Sequence, residues 1–277
     1  MNATDDALID ELCSLARAMG VRAAEIARER RGDGIDVAYS KSAIADIVTE
    51  GDRDAEQYIR TAVAEARPGD GFLGEEFDPT PSSTGITWVV DPVDGTVNYF
   101  YGIEACGVSI AAVEGDPTGD DWRALVGVVV GIFDGRVYSA AVGRGAFCDG
   151  KRLRVSRTTD LPVTLIATGF PYDSAPREKQ GRVLAKMLGV VRDVRRLGAA
   201  CIDLCMLASG KIDFFYDRTL NPWDYMAGVL IAREAGAVVR GRHGADQPDS
   251  RLVVGGNPEL VAKLQPQLEE WLDEEDL

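Results

Sequence analysis

Residues 86–101 read Ile86-Thr87-Trp88-Val89-Val90-Asp91-Pro92-Val93-Asp94-Gly95-Thr96-Val97-Asn98-Tyr99-Phe100-Tyr101. The apolar run Ile86–Asp91 predicts a buried strand. It ends on an acid, a proline, a valine and a second acid. Pro92 stiffens the turn and lets Asp91 and Asp94 aim at one point. The Val93 carbonyl is a further oxygen beside them. Gly95 and Thr96 then open a short helix running to about Tyr101. The first N–H groups of a helix lack intrahelical acceptors, so this end suits a phosphate. The Thr96 hydroxyl stands where it can hold a water. Carboxylates and a phosphate cradle within Asp91–Thr96 point to metal-assisted phosphoryl chemistry.

Two more acidic islands flank this stretch. Gly74-Glu75-Glu76 follows a predicted strand at Gly71–Gly74, and Pro222-Trp223-Asp224 opens a predicted helix. No Lys or Arg lies within several positions of Glu75–Glu76 or Asp91–Asp94. Crowded carboxylates are costly unless a cation neutralises them, and a hard divalent ion with oxygen ligands is the natural partner. Each island alone could be a plain acidic loop. All three at element ends, with no i, i+4 partners spread along a helix face, argue for one site.

Outward from there, Leu8, Leu12, Leu15, Met19, Ala23 and Ile26 predict a helix over 5–31. Residues 35–50 read as irregular and polar. Asp52–Arg67 reads as a second helix, stopped by Pro68-Gly69. Ala105–Glu114, Ala124–Phe133 and Arg136–Val142 read as strands. Asp134-Gly135 signals a type I′ hairpin, and Asp149-Gly150 another tight turn. The second half alternates. Strands are expected at Val163–Ala167, Asp193–Arg196, Ile212–Tyr216, Val238–Val239 and Arg251–Val254. Helices are expected at Arg177–Leu188, Gly198–Ser209, Pro222–Ala235 and Pro258–Leu272. The fold class is therefore α/β, with an α+β N-terminal half. The seam is expected near Ser156–Pro162, dividing residues 1–156, which carry most of the acids, from 157–277, which carry Asp224.

The chain has 277 residues, 45% of them hydrophobic, and 30 Lys+Arg against 45 Asp+Glu give a net charge of −15. That composition excludes a mainly disordered chain. The negative surface argues against nucleic-acid binding and against a basic membrane patch. Residues 1–10 carry Asp5, Asp6 and Asp10 and no apolar core, so no secretory signal is expected. Leu125–Phe133 is too short to span a bilayer. Cys13, Cys106, Cys148, Cys201 and Cys205 are scattered and odd in number, and read as free thiols in a reducing cytoplasm. His243 is the single histidine and lies in a polar loop, which disfavours Ser-His and Cys-His schemes.

Asp91-Pro-Val-Asp-Gly-Thr-Val-Asn98 and Pro222-Trp-Asp224 resemble the two signature motifs of the inositol monophosphatase family, part of the lithium-sensitive, magnesium-dependent phosphatase superfamily. The resemblance spans nearly the whole chain. It takes in Ser40-Lys41, Asp46–Asp52, Phe72–Glu76, Gly143–Cys148, Thr168–Tyr172 and Arg196–Ala200. It implies a layered α-β-α-β-α sandwich, a homodimer and two to three Mg²⁺ per site. By the resemblance, Glu75, Asp91 and the Val93 carbonyl hold one ion, and Asp91, Asp94 and Asp224 a second. A third ion sits near Glu75, with Glu76 as an outer helper and Lys41 in a nearby loop. Thr96 and Glu75 position and activate the attacking water, and Asp52 accepts the Thr96 hydroxyl. Gly95 and Thr96 N–H groups hold the phosphate, Ala200 lines the substrate wall, and Asp217 faces the substrate hydroxyls. Asp217-Arg218 departs from the family's usual Glu and small or polar neighbour, which puts the substrate in play.

The activity this implies is Mg²⁺-dependent hydrolysis of a small phosphate monoester, myo-inositol 1-phosphate first. Histidinol phosphate, fructose-1,6-bisphosphate, 3′-phosphoadenylate and NADP are alternatives within the class. A non-catalytic binding or regulatory protein on the same fold is the alternative outside it. A calcium module would need an EF-hand loop, which the sequence lacks.

Overall fold

The computed structural model describes residues 3–32, 37–40 and 47–277, with side chains over 6–32 and 49–277. Lys41 and Asp46 lie outside the described residues. The N-terminal half runs α1 (Ala3–Gly32), β1 (Val37–Ser40), β2 (Ile47–Thr49), α2 (Glu50–Ala66), β3 (Gly71–Gly74), β4 (Ile86–Asp94), α3 (Thr96–Tyr101), β5 (Gly107–Gly115), β6 (Trp122–Gly131), β7 (Val137–Ala141), β8 (Gly145–Cys148) and β9 (Lys151–Arg152). The C-terminal half runs β10 (Leu165–Thr168), α4 (Ser174–Leu188), β11 (Asp193–Arg195), α5 (Ala200–Ala208), β12 (Phe214–Asp217), α6 (Pro222–Glu234), β13 (Val238–Arg240), β14 (Val253–Gly256) and α7 (Pro258–Glu274).

Strands β3 to β9 form a seven-stranded sheet in sequence order, antiparallel except for the parallel β3–β4 pair. A five-stranded mixed sheet has the order β11-β10-β12-β14-β13. Helices α1 and α2 cover one face of the large sheet, α5 and α6 lie between the sheets, and α4 and α7 cover the far face of the small one. The result is the five-layer α-β-α-β-α sandwich.

The strands show why. On β4, Trp88 and Val90 enter the core under α1 and α2, while Val89 enters the core shared with α5 and α6. On β12, Phe214 and Tyr216 face α4 and α7, while Phe215 faces the middle layer. A strand apolar on both faces must be covered on both, and helices supply that cover.

Two local expectations are corrected. Within 35–50, β1 and β2 pair as a short antiparallel ribbon, since a ladder needs only backbone groups. The Asp134-Gly135 turn is not type I′. Val130 pairs with Val137 across a longer connection, and only Gly135 has positive φ, 67°. The Asp134 Oδ1 instead accepts the Arg136 N–H at 3.0 Å, which holds a different turn. At the second turn, Asp149 and Gly150 have φ of 48° and 76° and join Cys148 to Lys151.

Candidate active site

The acids of the opening motif owe their placement to a break in the β4–β5 ladder. Asp91 pairs with Ser109 and Asp94 with Gly107, so β4 carries one residue more than its partner. Pro92 has no N–H to give to a ladder, and prolines in sheets gather at such bulges. The Asp91 Oδ1 accepts the Val93 N–H at 2.9 Å and closes the kink. Val93 therefore turns into the α1–α2 core. Asp91 and Asp94 both line a cavity of about 540 Å³, together with Glu75, Gly95, Thr96, Ala200, Asp217 and Asp224.

Each acid has a fixed seat. The Asp94 Oδ2 accepts the Cys201 N–H at 2.6 Å, the second backbone donor of α5. Ala199, the N-cap residue of α5, has no side-chain donor or acceptor, so Asp94 on the opposite sheet provides the cap. Asp224 is the third residue of α6, behind Pro222, and its Oδ2 accepts the Asn221 N–H at 2.7 Å. The Ser109 hydroxyl donates to the Trp223 carbonyl at 3.0 Å and ties this helix start to β5.

Glu75 follows β3 in a turn held from α2. The buried Glu56 carboxylate accepts the Glu76 N–H at 2.8 Å and the Phe77 N–H at 3.3 Å, and pairs with Arg60 at 3.1 Å. Any Cβ on Gly74 would stand 2.3 Å from Glu56 Oε1, so the close approach needs glycine. Glu76 is half-buried beside Glu75.

Asp52 divides its carboxylate between two tasks. Oδ2 accepts the Thr49 N–H at 3.0 Å and the Thr49 hydroxyl, forming the capping box of α2. Oδ1 stands 3.2 Å from the Thr96 hydroxyl, which also lies 3.1 Å from the Val93 carbonyl. Gly95 precedes α3 with φ 88° and a backbone packed against Ala105, Gly198 and Ala199, a place for glycine alone. The Asn98 amide then donates to the Ala105 and Leu197 carbonyls at 2.7 and 2.6 Å, which pins α3 to the segment before α5.

The electrostatics are one-sided. Burial, then repulsion from Glu75, Asp94 and Asp224, holds the Asp91 carboxyl well above the usual carboxylate range. Burial pushes Asp94 up to about 6, against the pull of the Cys201 N–H. Asp224 keeps some surface open to the cavity, yet enclosure and the charges of Asp94 and Glu75 also raise it well above that range. Burial pushes Asp52 up to about 7. Among the described residues, no Lys or Arg forms an ion pair with Asp91, Asp94 or Asp224. Nor do any three His, Cys, Asp or Glu side chains there already stand close enough to hold a metal ion. The acids share a cavity wall, and their donor set of hard oxygens fits a divalent cation such as Mg²⁺.

The sequence reading missed two residues. Glu56 carries only the Glu56–Arg60 i, i+4 pairing as a signal, which is that of an ordinary helix face. Asp203, on α5, is 1% exposed and lines the same cavity; its mid-helix position carries no sequence signal. The five cysteines are all free, as expected. No helix among the described residues is long and apolar enough to cross a membrane.

The architecture and the motifs both have counterparts. The model of the inositol monophosphatase family matches residues 8–273. The inositol-1-monophosphatase SuhB of Mycobacterium tuberculosis is 44% identical over 230 residues, covering 79% of this chain and 77% of the relative. A Pseudomonas aeruginosa protein named Nus factor SuhB is 34% identical, over 80% of this chain and 84% of its own. The crystal structure of extragenic suppressor protein suhB from Bartonella henselae superposes with a TM-score of 0.84 at 30% identity, covering 95% of this chain and 98% of that one. A five-layer sandwich whose acids line one cavity, matched over residues 8–273 by that family's model, makes this chain a member of the inositol monophosphatase family and hence a phosphoric monoester hydrolase.

Proposed function

We propose that the chain hydrolyses a small phosphorylated polyol, myo-inositol 1-phosphate first, to the free polyol and phosphate, with Mg²⁺ as its cofactor. One observation carries this reading: the buried carboxylates Asp91 and Asp94 and the half-buried Asp224 line one cavity with Glu75, beside the Thr96–Asp52 pair. In this reading Glu75, Asp91, Asp94, Asp224 and the Val93 carbonyl hold two to three ions. Bound Mg²⁺ lowers the pKa of water and offsets charge on phosphoryl oxygens.

The chain's own residues supply positioning. The Thr96 hydroxyl donates to Asp52, which leaves its lone pairs to accept a hydrogen from the attacking water and to turn that water's own lone pair toward phosphorus. The ionised Asp52 carboxylate is the acceptor that fixes the orientation of that hydroxyl. The N–H groups of Gly95 and Thr96 face the phosphate oxygens. Ala200 forms the apolar wall, and Asp217 accepts from the polyol. Glu76 supports Glu75 from outside. The protein works as a cytoplasmic homodimer, and the exposed Tyr101 at the end of α3 and Ile103 just beyond it are apolar surface suited to such a contact.

A second reading, a regulatory protein that uses the fold for binding, draws its support from the Nus factor name of the Pseudomonas aeruginosa relative. Phosphate release separates the two. The esters to compare are myo-inositol 1-phosphate, histidinol phosphate, fructose-1,6-bisphosphate, 3′-phosphoadenosine 5′-phosphate and NADP, each with Mg²⁺ and with EDTA. The expected result is fastest release from myo-inositol 1-phosphate, abolished by EDTA. No release from any ester by folded, Mg²⁺-supplied protein overturns the catalytic reading.

A further inference from the structure

The far end of the cavity carries a second pair of acids that the proposed hydrolysis does not use in full. Asp217 ends β12, with its Oδ1 accepting the Arg218 N–H at 2.7 Å. Its carboxylate fills space left by Gly169, whose absent Cβ would stand 2.0 Å from Asp217 Oδ2. Asp203 rises from the first turns of α5 into the same cavity. It is 1% exposed, and its Oδ1 accepts no hydrogen bond among the described residues. It does not cap its helix, because Asp94 already does. Burial and the neighbouring Asp217 hold the Asp203 carboxyl well above the usual carboxylate range, and burial raises Asp217 too; Arg196 lines this end and only partly offsets the rise.

A buried acceptor without a donor is unfavourable and calls for a reason. An ionised carboxyl accepts and a protonated one also donates, so the partner that serves either form is a group that both donates and accepts. The hydroxyls of a polyol do both, whereas a phosphate dianion only accepts.

We propose that Asp203 is a second polyol-recognition residue, which pairs with Asp217 to receive two hydroxyls of the substrate and so selects phosphorylated polyols over phosphate esters without hydroxyls. This rests on the phosphatase reading of the same cavity. A site built to bond a substrate hydroxyl rejects the analogue lacking it far more strongly than an apolar pocket rejects a missing methylene.

The test compares myo-inositol 1-phosphate with cyclohexyl phosphate, which has the same ring and no hydroxyls, on the full chain with Mg²⁺. In Asp203→Ala, the ratio of kcat/KM for the polyol to that for the cyclohexyl ester falls about tenfold, through KM. Asp203→Asn keeps an acceptor oxygen and recovers most of that loss. A ratio within about twofold of wild type in both variants overturns the proposal, because a merely structural role lowers both esters together. Should Asp203→Ala fail to fold, singly deoxygenated inositol 1-phosphates on the wild-type protein decide. Two acceptors require that loss of hydroxyls at two different positions each raises KM about tenfold; sensitivity at one position or none overturns the pairing. Release from cyclohexyl phosphate without any polyol preference sinks this inference and leaves the phosphatase standing, whereas no release from either ester sinks the phosphatase reading itself.

Discussion

Asp91 and Asp94 open onto one cavity although three positions apart on a single strand, because β4 carries an extra residue at Pro92–Val93. In an unbroken strand, side chains alternate and these two would face opposite sides of the sheet. The bulge moves Val93 into the α1–α2 core and returns Asp94 to the face of Asp91. A proline without a ladder donor thus sets the geometry of the acids.

Asp94 has a structural task and a proposed metal-binding one, and two substitutions separate them. Asp94→Asn keeps an oxygen for the Cys201 N–H and removes the charge. It should leave the urea midpoint nearly unchanged and lower Mg²⁺-dependent phosphate release by about 10²-fold or more. Asp94→Ala also strips α5 of its cap and should cost a further ~1 kcal/mol of stability. Full activity in Asp94→Asn would remove Asp94 from the metal-binding set.

The Thr96–Asp52 hydrogen bond should act as one unit. Thr96→Val, which keeps the shape and loses the hydroxyl, should lower kcat by about 10²-fold. Asp52→Asn should do comparable damage, and the double variant little more than either single one. Additive losses in steady-state rates would show that the two residues act separately.

Gly74→Ala would place a methyl group 2.3 Å from Glu56 Oε1. Overpacking of this kind costs about 1–3 kcal/mol. The 74–77 turn should shift, and the Mg²⁺ concentration for half-maximal activity should rise. Glu56→Gln should show the same metal effect, since it weakens the hold on the Glu76 and Phe77 N–H groups. Titration of activity against Mg²⁺ checks both; an unchanged half-maximum in each variant would exclude control of Glu75 from α2.

Burial pushes Asp217 from its ordinary 3.8 up to about 7. The folded state thus holds this proton more tightly than the unfolded state. Between about pH 4 and 7 the folded state binds more protons, so stability falls as pH rises through that window and levels off above it. Urea unfolding in EDTA should show this decline, and Asp217→Asn should make it shallower. Parallel curves for the two proteins would mean that Asp217 titrates normally.

The site was legible in part because its motifs are local. Pro92 and Gly95 act on their own backbone, so the Asp91–Thr96 turn and the short helix after it could be read directly. The same holds for Asp149-Gly150, where both residues accept positive φ. Asp134-Gly135 marks the β6–β7 hairpin correctly but not its turn type, because the Asp134 side chain bonds the Arg136 N–H and a longer connection takes over. Glu56 offers only the i, i+4 pairing of an ordinary helix face and Asp203 offers no signal, since an acid on a helix looks the same whether it faces water or a cavity.

By itself, the sequence determined the long helices, the longer strands, their order and the acidic turn, because periodicity, proline and glycine constrain the chain within a few residues. Tertiary structure alone decided which acids meet. Asp94 caps α5 across 107 residues of chain, Asn98 reaches Leu197 across 99, and Asp203 and Asp217 share a cavity only because the middle layer packs between two sheets. Such contacts depend on how twisted sheets and helices stack, and that is set by the whole core rather than by any stretch of sequence near the residues involved.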